Sequence, residues 1–96
     1  MTLSTRYISQ VKNVLEEFDP KKENRYILFG SAARKDSFGD IDIGVLGNKR
    51  AGKNIAALRE RFEESTVPYV VDVVDFDDTS AQFRDHVLSQ ELVWLN

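Results

Sequence analysis

Asp40 and Asp42 stand two residues apart in Asp40-Ile41-Asp42-Ile43, and Asp72 interrupts the apolar run Val70-Val71-Asp72-Val73-Val74. Side chains along a strand alternate between its faces, so Asp40 and Asp42 share one side while Ile41, Ile43 and Val45 share the other. The apolar side can pack on a core, which leaves two like charges projecting together roughly 6–7 Å apart. A bound cation or a shared proton would relieve their repulsion. Carboxylate oxygens suit hard divalent ions such as Mg2+, and a few carboxylates can bridge two ions about 3.5–4 Å apart. Asp72 is the expected third ligand, because a lone ionised carboxylate in so apolar a strand would be costly to bury. Parallel pairing would set it near the start of its strand, level with Asp40 and Asp42. Asp75 faces the other way and lies nearer the strand end, so it is left out.

A second feature precedes the acids. The run Tyr26 to Phe29 stops at Gly30-Ser31. Glycine permits a tight reversal and close approach of a phosphate to the backbone. A helical turn starting there would offer free N–H groups to phosphate oxygens, and the Ser31 hydroxyl can donate to the same oxygens. Lys49, Arg50 and Lys53, in the glycine-flanked loop Gly47 to Lys53, are further cations within possible reach of a triphosphate. Each feature also has a plain structural reading. The aspartates could face solvent, Gly30-Ser31 could be only a turn, and Asp72 could cap a helix or pair with an arginine. Arg34 is read as a structural ion pair or a phosphate contact. Ser31 has no base beside it in sequence and is not read as a covalent nucleophile.

Composition narrows the chemistry. The 96 residues are 42% hydrophobic and 30% charged, as in ordinary globular proteins, and read as a single domain, 1–96. With no cysteine, disulfides, thiolate metal sites and cysteine catalysis are excluded, and with His86 the only histidine a zinc site is not expected. The net charge of −3 argues against sequence-blind nucleic-acid binding, which needs a basic face. Neither a signal peptide nor a membrane span is legible, so a cytoplasmic location without membrane contact is expected.

The elements that must position these groups follow from periodicity. Leu3, Tyr7, Val11, Val14, Leu15 and Phe18 predict a helix over 3–18, capped by Thr2 or Ser4 and ended by Asp19-Pro20. Strands are expected at 25–29, 40–46 and 69–76, with a helical turn at 31–35. Ile55, Leu58, Arg59 and Phe62 mark a helix over 54–65. Asp77-Asp78-Thr79 would cap a last helix, 80–90, with Phe83, Val87 and Leu88 inward. The apolar third strand suggests an interior position covered on both faces. Leu92 to Leu95 reads as helix or short strand, with Trp94 either closing the core or facing a partner. The order αβ(α)βαβα gives an α/β (α+β) fold: a small, mixed, three-stranded sheet flanked by helices, strands one and two antiparallel, two and three parallel.

Gly30-Ser31, a gap of eight residues, then Asp40-Ile41-Asp42 with an apolar residue after it resembles the signature of the nucleotidyltransferase superfamily that includes DNA polymerase beta. The short length resembles its minimal nucleotidyltransferases (MNT), which are paired with a HEPN-domain protein in prokaryotes. The resemblance implies a nucleotidyltransferase fold with Asp40, Asp42 and Asp72 as metal-binding and catalytic residues. Asp72 would help to bind one metal and deprotonate the attacking hydroxyl. Gly30, Ser31 and Arg34 would bind the nucleotide. It implies two Mg2+ ions, ATP as donor, and AMP transfer to a hydroxyl of a HEPN-domain toxin in a hetero-oligomer, this chain being the antitoxin. Two departures bear on the loop: Lys35-Asp36 follows the arginine where glycine is common, and Gly39 precedes the first aspartate where serine is common. The alternatives are a non-catalytic nucleotide-binding adaptor that neutralises its partner by contact, and an antibiotic-type enzyme that needs a helper subunit.

Overall fold

The computed structural model describes residues 5–30, 33, 40–47, 54–90 and 92–96. Thr2, Ser4, Ser31, Arg34 and the loop cations Lys49, Arg50 and Lys53 lie outside the described residues, as does the turn at 31–35 apart from Ala33.

Helix α1, Thr5–Phe18, buries Ile8, Val11 and Leu15 on one stripe. It stops at Asp19-Pro20, where Lys22 adopts a left-handed φ of 54°. Strand β1, Asn24–Phe29, pairs antiparallel with β2, Ile41–Gly47. Helix α2, Ile55–Glu63, starts at Asn54, whose side chain accepts from the Ala57 N–H at 3.0 Å. It returns the chain to β3, Val71–Asp75, parallel to β2. Helix α3, Ala81–Leu88, precedes a two-residue strand β4, Val93–Trp94, antiparallel to β1.

The sheet order is β3-β2-β1-β4. On one face, Tyr26, Leu28, Ile41, Ile43, Val45 and Val73 pack with the inward residues of α1 and α2. On the other, Ile27, Phe76 and Val87 form a smaller cluster joined by Phe29, Leu46, Val74 and Leu92. Gly44 lies on this second face directly under the Phe76 ring, which leaves no room for a Cβ. Burying each large apolar side chain is worth about 1.5–3 kcal/mol, so the first face carries most of the stability.

Four expectations are corrected. Among the described residues the sheet has four strands rather than three, because the apolar tail adds β4 alongside β1. The third strand is shorter than 69–76 and lies at the sheet edge, not in its interior; Val70 before it is 69% exposed. Ser80, not Asp77-Asp78-Thr79, caps α3, accepting from the Phe83 N–H at 3.1 Å. Phe83 and Leu88 are exposed; Val87 is the residue that α3 buries, since so short a helix covers little of the second face.

Candidate functional site

Alternation along β2 puts Ile41, Ile43 and Val45 into the main core and turns Asp42 to the second face, where it is half-buried. Asp72 is the residue opposite Asp42 in the parallel β2–β3 pair. Equal level and equal parity place both carboxylates on one face, one strand spacing apart, or about 4.8 Å between backbones. Asp40 sits exposed just before β2. Asp42 has its proton affinity raised by partial burial first, then by the negative charges of Asp72 and of Asp40. The three acids are thus close enough to repel.

Gly30 ends β1 beside them. Its φ of 74° is left-handed, and a Cβ there would lie 2.5 Å from Oδ2 of Asp42. The backbone shape favours glycine, and a side chain there would push the Asp42 carboxylate aside. The Ala33 N–H returns to the Gly30 carbonyl at 3.1 Å, closing a turn, and Ala33 is buried. A crevice of about 160 Å³ opens on the same flank, bordered by Gly30, Phe29, Phe83 and His86.

Of the six expected site residues, Gly30, Asp40, Asp42 and Asp72 are brought together; Ser31 and Arg34 lie outside the described residues. The reason given for Asp72 from sequence does not hold, because its side chain is 56% exposed and escapes the burial penalty. It is also paired with an arginine: Nη2 of Arg59 lies 3.7 Å from its Oδ1. The same Nη2 donates to the Val73 carbonyl at 2.8 Å. Sequence reasoning marked Arg59 only as part of the α2 pattern. A cation on the flank of that apolar stripe was the signal that it reaches the neighbouring strand.

Among the described residues, no three acidic or histidine side chains converge into a ready-made cation cage. Mg2+ is ordinarily held by one or two carboxylates and completed by substrate phosphates and water. An all-oxygen donor set crowded by its own charge fits such an ion. Asp42 and Asp72, flanked by Asp40, would hold it, and Gly30 leaves the adjoining space open to phosphate.

Comparison with known proteins places this geometry. No curated protein matches the chain. The family described as "Polymerase beta, Nucleotidyltransferase" matches residues 9–95, which takes in β1, β2 and β3 and every described acid of the site. The chain belongs to the polymerase beta nucleotidyltransferase family.

Proposed function

We propose that the chain transfers AMP from ATP, with Mg2+, to a hydroxyl on a partner protein, and that this partner is a HEPN-domain toxin for which the chain is the antitoxin. The observation that carries the reading is the pairing of Asp42 with Asp72 at one level of the sheet, beside a glycine whose left-handed backbone disfavours a side chain. Bound divalent ions would supply charge neutralisation at the phosphates. Asp42 and Asp72, flanked by Asp40, would hold them, and the Gly30 turn would receive the outer phosphates. The acceptor oxygen forms a bond to the α-phosphorus while the bond to the β,γ-pyrophosphate breaks. Asp72, the most solvent-open of the pair, takes the hydroxyl proton. The acceptor and the toxin partner rest on likeness to minimal nucleotidyltransferases.

A second reading is neutralisation by contact without catalysis, favoured by the exposed apolar side chains Val70, Phe83, Leu88 and Trp94. One experiment separates the two. The chain is incubated with labelled ATP, Mg2+ and the product of the adjacent gene, and the partner is weighed by mass spectrometry. A gain of AMP units that Asp42→Asn abolishes supports transfer. Rescue of cells by Asp42→Asn without any mass gain supports contact alone.

A further inference from the structure

The Ile41 N–H bonds the Val70 carbonyl and the Phe76 N–H bonds the Val45 carbonyl. Alternate residues of a parallel strand direct their backbone groups to opposite sides. Asp72 and Val74 thus pair with β2, whereas Val71, Val73 and Asp75 turn theirs to the open edge. Arg59 comes from α2, which packs on the face of the sheet opposite the acids. Its side chain passes around that edge, donates to the outward Val73 carbonyl at 2.8 Å, and ends 3.7 Å from Oδ1 of Asp72. Asp42 approaches Asp72 from the strand on the inner side. One carboxylate is therefore ion-paired with a cation from outside the sheet and faces a second carboxylate inside it.

We propose that Arg59 is the positioning residue for Asp72: anchored on the Val73 carbonyl, it fixes one oxygen of Asp72 and leaves the other directed to the ion shared with Asp42. This rests on the reading of the acids as a cation site. Removing an outer partner of a metal ligand typically costs 10–100-fold in metal affinity or activity. The anchor matters because Asp72 is otherwise a half-exposed side chain at a sheet edge, free to rotate. A positive charge so near would by itself weaken cation binding, so charge and positioning predict opposite signs for its removal.

The test measures Mn2+ affinity by electron paramagnetic resonance, with a non-hydrolysable ATP analogue present, for the wild-type chain, Arg59→Met, Arg61→Met, Phe62→Leu and Asp42→Asn. Arg61→Met removes a neighbouring charge of the same helix, and Phe62→Leu loosens the same helix without touching the acids. Roughly 10-fold weaker binding is expected in Arg59→Met, with Arg61→Met and Phe62→Leu unchanged and circular dichroism showing all five folded. Unchanged or tighter binding in Arg59→Met overturns the inference, as does an equal loss in either control. If wild type binds no Mn2+, or Asp42→Asn binds as well as wild type, the cation site itself is refuted and Arg59 has nothing to position.

Discussion

Asp19 and Asp42 are both carboxylates drawn into the protein, and the chain surrounds them in opposite ways. Asp19, 8% exposed, follows α1 and accepts from the Glu23 and Asn24 N–H groups at 3.0 and 2.9 Å and from the Tyr26 hydroxyl at 3.0 Å. It ties the end of the helix to the start of β1, and its oxygens are satisfied within the fold. Asp42 has no donor among the described residues; its surroundings are Asp72, Asp40 and the Cα of Gly30. Buried polar groups normally carry their partners with them. An acid left facing other acids is a candidate for a functional site rather than a structural tie.

Replacing each acid in turn gives the sharpest break. Asp42→Asn should lower nucleotidyl transfer by roughly 100-fold or more, since loss of a metal-binding carboxylate removes several kcal/mol of transition-state stabilisation, while the chain stays folded. Asp19→Ala should do the reverse, costing about 3 kcal/mol of stability because two N–H groups and a buried hydroxyl lose their acceptor. Urea unfolding reads that loss, and transfer per folded molecule should be unchanged. A variant at 19 that abolishes transfer while fully folded would erase the distinction.

The fold was legible where pattern and burial agree. The α1 stripe, the antiparallel β1–β2 pair, the α2 crossover and the alternation of acids and isoleucines along β2 all follow from spacing. The candidate pair was legible too, since Asp72 lands at the level of Asp42. What escaped depended on the sheet's finite width. Valines at 70, 71, 73 and 74 look interior in sequence, but among the described residues no strand lies beyond β3, so Val70 is exposed and Asp72 half-exposed. Arg59 escaped for the same reason, because only an open edge lets a side chain from one face reach a carboxylate on the other. Asp19 was read as a helix stop; its three bonds join groups up to seven residues apart and carry no periodic signal.

Tyr26→Phe tests the satisfied acid more gently. It removes one donor from Asp19 and should cost about 1 kcal/mol. Burial, followed by the hydrogen bond to Asp19 and its charge, raises the Tyr26 hydroxyl well above its ordinary value of 10.0. The folded state therefore keeps the proton more tightly than the unfolded chain does. Its contribution is full below pH 10 and is lost progressively as pH rises beyond it. Denaturant midpoints should fall more steeply above that pH in wild type than in Tyr26→Phe; parallel curves would show that this hydroxyl is not what the alkaline limb reports.

Asp42 gives the smallest effect, at the other end of the scale. Its carboxyl is raised above the ordinary 3.8 by burial, then by Asp72 and Asp40, so here too the folded state binds the proton more tightly than the unfolded chain. Stability from this group is present in acid, falls as pH rises from 3.8 through the raised value, and is absent at neutrality, where the ionised group opposes folding. Asp42→Asn should therefore be slightly more stable than wild type at pH 7, by about 0.5 kcal/mol once solvent screening of a half-exposed cluster is allowed for. The advantage should vanish as pH drops below the raised value, where both side chains are neutral. It should also shrink in 1 M salt, where the screening length falls to about 3 Å, and on adding Mg2+ to wild type, which supplies the missing countercharge. Thermal unfolding of both proteins across pH, salt and Mg2+ measures all three. An Asp42→Asn variant less stable than wild type at neutral pH would mean that Asp42, like Asp19, has its partners inside the fold.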